Sequence, residues 1–187
     1  MIILDDPKTL LDRALILRVV PAAGLSHTER EAIIALCSRA FEEDYRPFLE
    51  LFPHPTHVLA YQDGVLASHA LWVARLLQQG DGPLLRCAYV EGMATEPAMQ
   101  RRGLGSAVLG RLAAAIQDYD LGALCTGSVG YYARLGWELW RGTLYARTPG
   151  GLEPCVEEGV MILRLPRTPA LDLDAPLSVE WRPGEVW

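Results

Sequence analysis

Gln100-Arg101-Arg102-Gly103-Leu104-Gly105 stands between a strand-like run and a long apolar-periodic stretch. A diphosphate needs several backbone N–H groups aimed at one place, no Cβ in the way, and the positive end of a helix behind them. Glycine at 103 and 105 permits that close approach, and Arg101 and Arg102 add positive charge. A Walker A loop is excluded because no Gly-Lys-Ser/Thr follows. A Rossmann loop is disfavoured because antiparallel strands, not a βαβ unit, precede the glycines. A turn that only starts a helix is the alternative. Just upstream, Arg86 to Ala94 reads R-C-A-Y-V-E-G-M-A. Gly92 inside this strand permits a bulge. Glu91 beside it can hold an ammonium and take its proton, or can be a solvated strand residue or a structural ion pair. Downstream, Tyr131-Tyr132-Ala133-Arg134-Leu135-Gly136-Trp137 offers two phenols, which on their own can be buried aromatics with satisfied hydroxyls, Tyr131 as packing or pocket wall.

These residues need a frame. Ala14 to Val20 reads as a first strand ending at Pro21, and Ser26-His27-Thr28-Glu29 has capping-box spacing ahead of an amphipathic helix over 28–42. Residues 44–52 form a short second helix or lid closed by Pro53 and Pro55. Strands follow over 57–61, 65–77 and 84–94, the first two joined by Asp63-Gly64, a strong hairpin signal. A long helix follows the glycine loop, with Leu104, Val108, Leu109, Leu112 and Ile116 on one face. Then come a strand over 121–126, a short helix over 128–135 stopped by Gly136, and a strand over 137–140. Thr148 to Gly151 reads as loop, Val160 to Leu165 as a late strand, and 166–176 as a proline-rich irregular stretch. The order is βααβββαβαβ with a β-rich tail, which makes the chain α+β around one mixed, mostly antiparallel sheet flanked by helices.

Composition narrows the classes. The chain has 187 residues, half of them hydrophobic, so a single domain with a full core is expected and disorder is excluded. The net charge of −6 suits an acidic cleft for a cationic substrate as well as an ordinary surface, and no basic stripe suggests nucleic acid. The four cysteines, Cys37, Cys87, Cys125 and Cys155, lie far apart without metal spacing, so no metal and no disulfide framework is expected. Buried free thiols at Cys37, Cys87 and Cys125 would suit a reducing cytoplasm. Met1 to Leu11 lacks the apolar stretch of a signal peptide, and no run is long enough to span a membrane. His54, His57 and His69 are scattered, and His69 reads as a packed core or pocket residue. Trp72, Trp137 and Trp140 read as core or dimer interface.

The glycine loop, between its strand and helix, matches Q/R-x-x-G-x-G/A and resembles the acetyl-CoA signature of the GNAT superfamily. Three further segments resemble the aminoglycoside 2'-N-acetyltransferases: L-R-C-A-Y-V-E-G-M-A at 85–94, L-G-A-L at 121–124 before the tyrosine helix, and W-R-P-G-E-V-W at 181–187. The similarity runs from about Leu17 to Trp187. It is weakest in the first helix and over 148–158.

The resemblance implies the GNAT fold and acetyl-CoA as co-substrate, bound by Met93, Thr95, Gln100, Arg101, Arg102, Gly103, Leu104, Gly105 and Ser106. It implies that the Met93 N–H faces the developing oxyanion, that Glu91 accepts or relays the amine proton, and that Tyr132 protonates the departing thiolate. Asp44, Glu91, Gly92, Glu157, Glu185 and Trp187 would line the substrate site, with 166–187 as a tail completing it. Glu157 and Glu185 stand where the family commonly has aspartates, and the segment after Asp44 is more apolar. These departures bring kasugamycin, which has fewer amines, into consideration. The implied reaction is 2'-N-acetylation of a cationic aminoglycoside, conferring resistance, by a cytoplasmic homodimer with no nucleic acid and no membrane. The alternatives are acetylation of another small amine or polyamine, and a non-catalytic acyl-CoA-binding sensor.

Overall fold

The structure, a computed structural model, describes residues 15–157, 159–184 and 186–187. It is α+β, and two compact units make up the described chain, each assembled from separated segments. One comprises residues up to Leu71 with Gly92–Leu112; the other comprises Trp72–Glu91 with Ala113–Trp187. Strands β3 (Val65–Gln79) and β4 (Leu84–Thr95) are long enough to contribute to both.

In the first unit, β1 (Leu15–Pro21) pairs antiparallel with β2 (Thr56–Gln62), Leu15 opposite Gln62 and Pro21 opposite Thr56. β2 pairs with β3. Between them Asp63 and Gly64 have φ of 52° and 81°, the two positive values a tight hairpin turn requires. Helix α1 (His27–Phe41) starts on the anticipated capping box: the Glu29 amide donates to Ser26 Oγ at 3.2 Å and the Ser26 amide donates to Glu29 Oε2 at 2.9 Å. Two amides that would otherwise lack acceptors are thereby satisfied. Ile33, Leu36 and Cys37 on its inner face are fully buried. Helix α2 (Arg46–Leu51) carries Pro in its first turn. Helix α3 (Leu104–Ala115) buries Leu104, Val108, Leu109 and Leu112, a stripe at helical spacing. Each such side chain contributes about 1.5–3 kcal/mol of burial.

In the second unit the strand order is β6-β9-β5-β4-β3-β10-β7-β8. The ranges are β5 Leu121–Cys125, β6 Glu138–Leu139, β7 Leu144–Thr148, β8 Gly151–Cys155, β9 Val160–Arg164 and β10 Leu177–Glu180, with helix α4 (Val129–Ala133) after β5. β4 runs parallel to β5 and β10 parallel to β7, while β9 is antiparallel to β5 and β6. The irregular stretch before β10 is tied down: Trp140 Nε1 donates to the Ala175 carbonyl at 2.9 Å, and Arg141 pairs with Asp174 at 2.6 Å. Trp72, Trp137 and Trp140 are buried.

Two sequence expectations change here. Thr148 to Gly151, read as plain loop, is the turn of a β7–β8 hairpin that pairs Leu144 with Cys155. Cys37 and Cys87 are buried free thiols, but Cys125 is exposed because it is the last residue of β5.

Candidate active site

In the first unit, β4 breaks its regular course at Gly92, whose φ is 56°. Two constraints make this a glycine. The conformation is one that side chains rarely adopt. An added Cβ would also lie 2.4 Å from the Tyr45 hydroxyl oxygen. Behind the break, His69 Nδ1 donates to the Gly92 carbonyl at 2.9 Å. Met93 follows, half-buried, then Ala94 and Thr95, which a buried Ser68 anchors: its hydroxyl donates to the Ala94 carbonyl at 2.9 Å and meets Thr95 Oγ1 at 2.8 Å.

The chain then turns through a short 3-10 segment, Pro97–Met99, into the glycine loop. Gln100 Nε2 reaches back to the Thr95 carbonyl at 3.4 Å and Arg102 Nη2 to the Ala98 carbonyl at 3.1 Å. Arg101 and Gly103 both have positive φ, 62° and 82°. Left-handed residues alternating with right-handed ones aim successive amides at one point, as anion-binding nests do. Leu104, buried, fixes the start of α3, and the Ala107 amide donates to Gly103 O at 2.9 Å. Amides of the first turn, at Leu104 and Gly105, have no carbonyl one turn back. Ser106 lies in the same turn. A Cβ at Gly103 would meet nothing within 4 Å, so the backbone face there is open. Asp44, exposed, accepts from the Arg46 amide at 3.1 Å, a local turn contact just ahead of α2.

In the second unit, Glu91 is half-buried and pairs with Arg182 at 2.5 Å, with both side chains under a fifth exposed. Arg182 also lies over the Tyr89 ring, 5.6 Å from its centroid, and Arg75 lies over the same ring at 5.1 Å. Arg75 is buried. It donates to Glu180 Oε1 at 3.2 Å, to the Glu180 carbonyl at 2.5 Å and to the Val186 carbonyl, which pins the final segment beside Trp187. Trp187 is buried, and its Nε1 and the Tyr89 hydroxyl have no hydrogen-bond partner among the described residues. The structure therefore pairs Glu91 with Arg182 and holds the Val186 carbonyl on Arg75. Glu157 is exposed on the connection after β8, and Glu185 lies outside the described residues.

Tyr132 sits on α4, buried, edge-on to Trp137 at 6.0 Å and to Tyr131 at 5.1 Å. Burial pushes its phenol up to about 12, so it carries its proton throughout the physiological range. Arg75 and Arg182 were not singled out from the sequence. The one available signal for Arg75 was a single cation inside the apolar run L-W-V-A-R-L-L at 71–77.

A mixed α+β sheet, a glycine break in the strand before the loop, and a loop with two left-handed residues at the head of a long helix agree with an acyltransferase of the GNAT class. The chain belongs to that family: its acetyltransferase (GNAT) domain matches residues 23–140. It is 32% identical over 178 residues to the aminoglycoside 2'-N-acetyltransferase of Mycolicibacterium fortuitum, covering 91% of each chain, and it belongs to the same family of enzymes. Among solved structures it resembles the GNAT family N-acetyltransferase YhbS from Escherichia coli, solved in complex with CoA, with a TM-score of 0.62 and 19% identity over 91% of this chain and 92% of that one. It also resembles Eis1 from Mycobacterium abscessus, with a TM-score of 0.59 and 20% identity over 71% of this chain. It spans only 33% of Eis1. These structural likenesses establish the fold.

Proposed function

We propose that this chain transfers an acetyl group from acetyl-CoA to the 2'-amino group of an aminoglycoside, as a cytoplasmic homodimer conferring resistance. The observation that carries this reading is the 32% identity along 91% of both chains to an enzyme named for that reaction. The loop supports the co-substrate: two left-handed residues, an open glycine face, an α3 N-terminus and two arginines suit a diphosphate. Gln100 to Ser106, with Met93 and Thr95, hold acetyl-CoA. Asp44, Glu91, Gly92, Glu157, Glu185 and Trp187 line the amine site, and the net charge of −6 steers a polycation inward.

The amine attacks the thioester carbonyl directly. Glu91 accepts or relays the amine proton, the Met93 amide faces the developing oxyanion, and Tyr132 protonates the leaving thiolate. Among the described residues no helix is long and apolar enough to cross a membrane.

A second reading has its own support. Glu91 is already matched by Arg182, which leaves one carboxylate fewer for ammonium groups. A substrate with fewer amines, such as kasugamycin, or another small amine fits that count.

Free-thiol release from acetyl-CoA against gentamicin, tobramycin, kasugamycin, amikacin and spermidine separates these. Turnover of 2'-amino compounds but not amikacin is expected. Turnover of kasugamycin alone selects the second reading. CoA binding without turnover of any antibiotic removes the resistance reading.

A further inference from the structure

Two buried histidines that the reaction above does not use stand behind the break in β4. His69 Nδ1 lies 2.9 Å from the Gly92 carbonyl oxygen, and His57 Nδ1 lies 2.9 Å from His69 Nε2. A carbonyl only accepts, so His69 carries its proton on Nδ1 and accepts on Nε2. His57 must then donate from its own Nδ1. Cys37 Sγ, 3.6 Å from His69 Nδ1, is a second, weaker neighbour. Burial keeps both rings neutral, His57 down to about 4 and His69 down to about 3. The donation runs one way, from His57 to His69 to the Gly92 carbonyl.

That carbonyl belongs to the same peptide unit as the Met93 N–H. In a trans-planar peptide the two point to opposite sides, so holding the oxygen aims the amide. A hydrogen bond received at the oxygen also strengthens the N–H as a donor. The peptide needs such a hold, because Gly92 has no side chain to restrict it and sits at a positive φ. Packing alone does not explain the pair: His57 Nε2 is buried with no hydrogen-bond partner among the described residues, a cost that apolar side chains would avoid. We propose that His69, backed by His57, is a positioning residue that orients and polarises the Gly92–Met93 peptide so that its amide is presented to the developing oxyanion. This rests on the acyl-transfer reading above.

Three variants test it. His69→Asn keeps an N–H at the δ position, His69→Gln moves it to the ε position, and His69→Leu removes it. In the CoA-bound, 15N-labelled protein, Leu and Gln are expected to shift the Met93 amide proton upfield, and Asn to restore it. With an acetylated amine in hand, Leu and Gln lower kcat about ten- to a hundredfold with KM for both substrates within about twofold, and Asn recovers most of it. An unmoved Met93 resonance in the Gln variant, or Asn losing as much kcat as Gln, overturns the proposal. The Asn–Gln comparison stands even where the Leu variant does not fold. The resonance is read whether or not an aminoglycoside is a substrate, so failure of the substrate assignment and failure of this proposal are told apart.

Discussion

A phenol held up to about 12 by burial is a poor base and a steady proton donor, which sets the behaviour expected of Tyr132. Tyr132→Phe keeps the ring against Trp137 and removes only the hydroxyl, so folding and CoA affinity should persist while kcat falls about a hundredfold or more. Because the folded phenol keeps its proton up to about pH 12, no alkaline limb from this group should appear below pH 10; such a limb would assign the acid elsewhere. Steady-state kinetics across pH, beside calorimetric CoA binding, measure both. At this scale the sequence was informative about residue type and silent about partners. Glu91 was legible because it adjoins a glycine ahead of the loop. Its ion pair was not, because Arg182 is 91 residues away and only the folded second unit joins them. The same holds for Arg75, whose carbonyl and carboxylate acceptors lie at Glu180 and Val186. His69 is buried, as its place on a strand suggests, but its pairing with His57, twelve residues away, is not visible in the sequence.

Elements with local signals were read correctly. The capping box, the Asp-Gly turn and the α3 stripe each follow from a few adjacent residues whose physics is complete within one or two turns of chain. The β7–β8 hairpin was missed because β8 is mostly exposed and carries Pro154, so it shows neither an alternating pattern nor ordinary strand composition. The break in β4 lies between these cases. Gly92 announced a possible bulge, but only the fold shows that Tyr45 occupies the space of a Cβ. Gly92→Ala should therefore cost two separable amounts: about 1–2 kcal/mol for a non-glycine residue at positive φ, and a further steric cost against the Tyr45 oxygen. Adding Tyr45→Phe removes the atom at 2.4 Å and leaves the ring carbon at 3.2 Å, so the double variant should regain part of the lost stability but not all. Urea unfolding of the two single variants and the double variant measures the coupling. Strict additivity would mean that the Tyr45 hydroxyl moves aside freely.

At the scale of the whole molecule, the order of elements was legible because alternating and helical periodicities are separated by clear turns. The contribution of β3 and β4 to both compact units was not, since nothing local marks where one unit's packing gives way to the other's. The buried histidines carry a consequence at this scale too. His57 and His69 titrate near 6.5 when unfolded but are held down to about 4 and about 3 in the folded chain. Burial is the main cause for both, with the Arg30 charge acting on His57 and the second ring acting on His69. Well above pH 6.5 neither state binds a proton there and the pair is silent. Between pH 6.5 and about 4 the unfolded chain takes up protons that the folded chain refuses, so stability must fall as pH falls, by on the order of 1.4 kcal/mol per pH unit for each histidine. Glu29 acts in a lower window. Its capping-box hydrogen bonds and Arg18 hold it down to about 2, so its contribution is present above 4.5 and is lost as pH falls toward 2. Loss of stability between pH 6.5 and 5 thus belongs to the histidines and not to the helix cap. Replacing both as His57→Gln with His69→Asn should flatten urea-unfolding free energy over pH 7 to 5, whatever it does to stability at pH 7. An equally steep slope in the double variant would mean that groups other than the buried pair take up those protons.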